Sequence, residues 1–157
     1  MFPSDRVITG SLCYVLRDDA VLLLKRRRPR QVGLWSAPGG KMETGESPHD
    51  CCIREIGEET GLVIANPTLR AMVTVIDAAV PVHWLLFFFR ATYEGGEVVT
   101  TAEGELRWIR LVELDAYARP YPDTRHWEHI LSAAPGLWQG KFVYDTPARL
   151  VSETRQG

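Results

Sequence analysis

The chain has 157 residues, 45% of them hydrophobic and 24% charged, with a formal net charge of -2. That length suffices for one domain with a core that needs no disulfide or metal staple, and the composition is globular. A balance this near neutral gives no bulk electrostatic reason to bind nucleic acid or an anionic membrane surface.

Met1 to Asp5 lack the basic start of a signal peptide, and the longest apolar stretch, Trp84 to Phe89, is far too short to cross a bilayer. The expectation is a single cytoplasmic domain over residues 1–157, with neither a membrane nor a nucleic-acid partner. Cys13, Cys51 and Cys52 are odd in number and lack metal-binding spacing, so they read as packed thiols.

In chain order, Val7 to Leu16 and Ala20 to Arg27 read as strands joined at Arg17-Asp18-Asp19, an opening hairpin. The second strand runs into the basic stretch Lys25 to Arg30. Strand alternation puts Lys25 and Arg27 on one face and Arg26 on the other. A Pro38-Gly39-Gly40 turn follows and lets the backbone approach a ligand closely. Trp35 just before it reads as core.

Next comes a helix over Pro48 to Thr60. Ser47 is its N-cap, Pro48 takes the first position, where a missing N–H costs nothing, and Gly61 supplies the left-handed stop. Cys52, Ile53 and Ile56 are expected to dock it on a sheet. Glu55, Glu58 and Glu59 stand at i, i+3 and i, i+4 and project from one side. Like charges at this spacing repel, so keeping them together implies a cation, and an all-oxygen set suits Mg2+ or Mn2+ better than zinc. Arg54, four residues before Glu58, is placed to hold a carboxylate.

Strands are then expected over Thr68 to Asp77, Val82 to Tyr93 and Leu106 to Leu111, followed by a helical segment over Val112 to Tyr117. A helix from Asp123 to Ala133 and short strands over Gly140 to Tyr144 and Ala148 to Ser152 complete the chain.

Gly40, Glu46, Arg54, Glu55, Ile56, Glu58, Glu59, Gly61 and Leu62 match the pattern G-x5-E-x7-R-E-U-x-E-E-x-G-U, with U aliphatic. Average residue usage makes such a match a chance event at roughly one start position in 10^9. The chain therefore resembles the Nudix hydrolases, with the box at residues 40–62. The resemblance implies an α+β Nudix fold, an α/β/α sandwich with a mixed sheet. It also implies hydrolysis of a small-molecule substrate, a nucleoside diphosphate linked to a moiety X. Metal ligands would be the Gly39 carbonyl, Glu55, Glu58, Glu59 and Glu103, the last standing five residues before the strand tryptophan Trp108. Glu55, Arg54, Glu58 and Glu103 are the candidate catalytic residues, and the general base is either a box glutamate or one outside it.

Tyr121-Pro122-Asp123 and Lys141 to Asp145 resemble the MutT-like branch that clears oxidised purine triphosphates such as 8-oxo-dGTP. By that likeness Arg27 and Lys41 meet phosphates, while Ser36, Tyr121 and Asp123 occupy base-reading places. Ser36 stands where that branch has Asn, and Thr124 where it has a second Asp, which shifts base preference. The alternatives are another modified nucleoside di- or triphosphate, RNA 5′-end processing, or a catalytically silent nucleotide-binding regulator. The last conflicts with a full set of box carboxylates. The sequence does not indicate an oligomeric state.

Overall fold

The computed structural model describes residues 6–29, 31–117, 127–146 and 149–156. Its elements are β1 (Val7–Arg17), β2 (Ala20–Arg26), β3 (Trp35–Ser36), β4 (Gly39–Lys41), α1 (Pro48–Thr60), β5 (Leu62–Asp77), β6 (His83–Gly96) and β7 (Gly104–Arg110). A 3-10 segment (Leu111–Tyr117), α2 (Trp127–Leu131), β8 (Trp138–Thr146) and β9 (Arg149–Gln156) follow. The expected opening hairpin forms, with Asp18 at φ 53 in its turn. The α1 boundaries are those read from its caps.

The sheet is mixed, in the order β3-β2-β1-β6-β5-β8-β9, with β4 paired to β1 and β7 to β2. The β1/β6 and β5/β8 pairs are parallel, the others antiparallel. β5 begins six residues before the expected Thr68. It accommodates Asn66 at φ 51 and three register shifts against β6, which hide its start from a period-2 reading. The expected helix from Asp123 is described only over Trp127–Leu131.

Alternation along β1 decides what each face of the sheet buries. Cys13 and Val15 face α1 and meet Cys52 and Ile56, with Phe89 and Leu62 beside them. Leu12 and Tyr14 face the other way, into a cluster with Val73, Phe88, Leu114 of the 3-10 segment and Ile130 of α2. Helical elements thus cover both faces. Ile56 is fully buried, and truncation to Ala would cost about 2–5 kcal/mol. Ile53, expected in the same contact, is exposed; the helix buries Cys51 instead. At 100° per residue Cys52 and Ile56 lie 40° apart on the inward face, and Ile53 is turned off it. The cysteines are free and buried, and Trp35 is core, with Tyr117 edge-on at 5.1 Å.

Candidate active site

The caps fix where α1 begins and hence which way its carboxylates point. Ser47 Oγ accepts from the Asp50 N–H at 3.1 Å while Asp50 Oδ2 accepts from the Ser47 N–H at 3.0 Å, a reciprocal capping box. Gly61, at φ 78, closes the helix by donating its N–H to the Gly57 carbonyl.

On the helix Arg54 gathers three carboxylates rather than one. Its Nε and Nη2 donate to Glu46 Oε1 at 2.5 Å and Oε2 at 2.9 Å, a bidentate pair. Its Nη1 donates to Glu55 Oε1 at 2.7 Å and Glu58 Oε2 at 3.1 Å, and Nη2 also reaches the Lys41 carbonyl at 3.0 Å. These bonds raise the Arg54 pKa further and hold the Glu46 carboxyl down to about 2. Glu46, from the loop, is thus the clamp that fixes Arg54.

Glu59 is treated differently. It is only 8% exposed, and Oε2 accepts from the Gly39 N–H at 2.9 Å. Burial pushes its carboxyl up to about 7, and the charges of Glu55 and Glu103 push the same way against the Gly39 N–H and the Arg26 charge. The two glycines of the turn are sterically required. A Cβ on Gly39, at φ +147, would lie 2.1 Å from the Ser11 carbonyl oxygen, and one on Gly40 would lie 2.5 Å from Glu55 Oε2. β4 therefore threads between β1 and the helix carboxylates.

These groups border a cleft of about 670 Å³. Glu55, Glu58, Glu59 and Glu103 all line it, as do Gly39 and Lys41. Arg54 stands behind them. Two other sequence candidates do not line it. Arg27 is exposed at the end of β2, and Ser36 is fully buried with its Oγ accepting from Arg26 Nε at 2.6 Å. The cleft cations on this side are Arg26 and Arg28. Arg26, in register with Gly104 of β7, shares a strand face with Leu22 and Leu24 and turns inward, its Nη2 reaching the Ala37 carbonyl at 3.3 Å. Arg28, beyond the strand end, returns to Glu103 at 2.6 Å. Sequence reasoning missed both arginines and Trp84, which also lines the cleft. Because Leu22, Leu23 and Leu24 are all buried, alternation along β2 did not single out Arg26, and nothing local pointed to Arg28. Tyr121 and Asp123 lie outside the described residues.

Among the described residues no three His, Cys, Asp or Glu side chains converge into a ready cation cage. Arg54 draws Glu55 and Glu58 one way and Arg28 draws Glu103 another. The donor set nonetheless fits a hard divalent cation. It is all oxygen, and Glu59 is a buried carboxyl in the field of two other carboxylates, with its charge opposed by burial.

The NUDIX domain family model matches residues 8–132. The chain belongs to the Nudix family. The Nudix hydrolase YvcI of Bacillus subtilis (strain 168), itself uncharacterised, is 39% identical over 145 residues, which is 89% of each chain. The NAD-capped RNA hydrolase NudC of Pseudomonas syringae pv. syringae (strain B728a) is 36% identical over 124 residues, 76% of this chain and 41% of its own. The chain thus spans about two fifths of the length of that relative. The crystal structure of the mutator MutT protein from Bacillus halodurans superposes with a TM-score of 0.83 at 33% identity, covering 95% of this chain and 97% of that one. The α+β Nudix fold expected from the box is the observed one. Nudix hydrolases act on nucleoside diphosphate derivatives and generally use a divalent metal. Among the described residues no helix is long and apolar enough to cross a membrane.

Proposed function

We propose that this Nudix hydrolase is a Mg2+-dependent nucleoside triphosphate pyrophosphohydrolase that converts oxidised purine nucleotides such as 8-oxo-dGTP to the monophosphate and pyrophosphate. The observation that carries the catalytic part is the gathering of Glu55, Glu58, Glu59 and Glu103 into one cleft with Arg26, Arg28 and Lys41. A polyphosphate is an anion that repels water as a nucleophile, and a cleft lined only by carboxylates would repel it further. The three cations suit the phosphate oxygens, and the four carboxylates, with the Gly39 carbonyl, are the ligands for Mg2+, or for Mn2+ in its place. The bound cation would neutralise the phosphates and acidify the attacking water.

The rest is done by the chain's own groups. A water oxygen bonds to one of the two phosphorus atoms flanking the α–β bridge, the P–O bond from that phosphorus to the bridging oxygen breaks, and monophosphate and pyrophosphate are released, the leaving group as its anion. The water's proton goes to a cleft carboxylate, either a box glutamate or Glu103. Arg54, pinned by Glu46, positions Glu55 and Glu58 without touching substrate. The charge of Arg26, whose Nε donates to Ser36 Oγ, favours the ionised form of Glu59. The choice of an oxidised purine is supported by the Tyr121-Pro122-Asp123 motif and by the structural likeness to a MutT protein. NudC, an NAD-capped RNA hydrolase, favours a second reading, hydrolysis of an NAD cap at an RNA 5′ end, for which NAD itself is the small probe.

A nucleotide screen with Mg2+ separates them. Pyrophosphate and monophosphate released from 8-oxo-dGTP faster than from dGTP, with NAD inert, is the expected result. Inorganic phosphate as the first product, or cleavage of NAD alone, overturns the reading.

A further inference from the structure

The charged groups occupy only part of the cleft. Leu12, Leu86 and Trp84 supply an apolar stretch of wall. Register explains why they lie together. In the parallel β1/β6 pair, Ile8 stands opposite Trp84, Gly10 opposite Leu86 and Leu12 opposite Phe88, so Trp84 and Leu86, two residues apart, share the face that Leu12 faces. A side chain at Gly10 would extend this wall but has no room, because its Cβ would lie 2.7 Å from the Gly40 carbonyl oxygen.

Trp84 differs from three of the other tryptophans in having no ring partner among the described residues, and from Trp127 of α2, which is also partly buried against the core, in lining the cleft. Trp35 is buried against Tyr117, Trp108 packs edge-on to Tyr93 beneath Arg17, and Trp138 packs beside Phe142. Trp84 is only half-buried at the rim of the core, and among the described residues no ring packs on it. Its neighbour is a cation: Lys41 Nζ stands 5.7 Å from the ring centroid. Lys41 is also tied to the carboxylate side, since its carbonyl accepts from Arg54. One residue thus joins the flat apolar wall to the phosphate-handling groups.

We infer that Trp84 is the platform on which the substrate's heteroaromatic base stacks, with Leu12 and Leu86 beside it and Lys41 between the ring and the polyphosphate. This rests on the reading of the substrate as a nucleotide and adds the residue that takes its base. A partly exposed indole in a cleft offers a π-face to any base, because stacking needs no particular donor or acceptor. Trp84 therefore contributes affinity for nucleotides as a class and favours the larger purine ring. Discrimination among purines comes from polar groups elsewhere. Stacking is the same before and during reaction, so its loss raises KM and leaves kcat nearly unchanged.

The test measures equilibrium binding of GMP and of inorganic tripolyphosphate in EDTA, by calorimetry, to the wild-type protein, Trp84→Phe and Trp84→Leu. Phe retains a ring and Leu retains apolar bulk, so a folded core is expected in both and is checked by thermal melting. The expected result is GMP binding weakened about 10- to 100-fold in Trp84→Leu and within about threefold of wild type in Trp84→Phe, the scale of one lost base–aromatic stack. Tripolyphosphate should bind all three alike. With Mg2+ and the best nucleotide, KM should rise in Trp84→Leu at constant kcat. Unchanged GMP binding in Trp84→Leu overturns the inference, as does an equal loss for GMP and tripolyphosphate, which would make Trp84 a support of the cleft wall. Wild-type protein that binds GMP but hydrolyses no nucleotide refutes the proposed activity and leaves the stacking result readable. Wild-type protein that binds no GMP refutes the inference.

Discussion

Glu46 and Glu59 are the same residue type near the two ends of one motif, yet the structure drives them in opposite directions. Glu46 meets Arg54 in a bidentate pair and its carboxyl is held down to about 2. Glu59 has one backbone N–H, lies buried near two further carboxylates and is pushed up to about 7. Glu46 has the counter-charge it needs within the chain, so its work is structural. Glu59 has no such ion pair, and burial outweighs the charge of Arg26 that favours its ionised form, so a cation bound in the cleft, as proposed, would relieve it.

The largest effect should come from removing that charge. Glu59→Gln is expected to lower turnover by at least ~100-fold, the scale for loss of a charged group at a reaction centre, and Glu55→Gln to do similar damage. Steady-state release of pyrophosphate measures it, and EDTA should abolish activity in the wild type. Full activity in EDTA would break the contrast, because Glu59 would then need no cation.

Stability against pH sharpens the same contrast in metal-free protein. Glu59 has a folded pKa above its ordinary value of 4.5, so its contribution is fully present below about pH 4.5 and is lost as pH rises through about 7. That loss approaches about 3 kcal/mol at pH 8, and Mg2+ should reverse it. Glu46 has a depressed pKa, so its contribution is present above about pH 4.5 and is lost as pH falls through about 2. Urea melts in EDTA should therefore show Glu59→Gln flattening the alkaline limb and Glu46→Gln the acid limb. Parallel curves for both variants and the wild type would mean that the two carboxyls do not differ.

The smallest effect is the control. Glu105 pairs with Arg107 across an exposed stretch of β7, two residues from cleft-lining Glu103. Glu105→Gln should alter stability by less than about 0.5 kcal/mol and turnover by less than about twofold, as exposed ion pairs contribute little. A loss comparable to that of Glu55→Gln would show that the choice of cleft face is mistaken.

Some of this was local enough to be legible in the chain. Ser47-Pro48 and Gly61 fix α1 at both ends, because caps are satisfied by residues within a few positions. The spacing of Glu55, Glu58 and Glu59 puts them on one side of the helix, because 100° per residue is a property of the helix alone. The Pro38-Gly39-Gly40 turn was legible as a close approach to a ligand, whereas the close approach that the structure shows is to the chain's own Ser11 carbonyl and Glu55 carboxylate.

What remained depended on which strand lies beside which. Arg27 is the phosphate contact by resemblance, yet pairing of β2 with β3 and β7 turns Arg26 inward and leaves Arg27 in solvent. Ser36 stands in a base-reading place by motif, yet the β2/β3 pair buries it as an acceptor for Arg26. The bond between Arg28 and Glu103 joins residues 75 apart in sequence. Trp84 read as the start of a greasy strand, and only the parallel partnership of β6 with β1, through a long crossover, set it beside Lys41 at the cleft. Caps and helical spacing are short-range and are written in the residues that make them. A cleft is made of residues whose proximity is a consequence of sheet order, and sheet order is settled by burying both faces of the sheet at once.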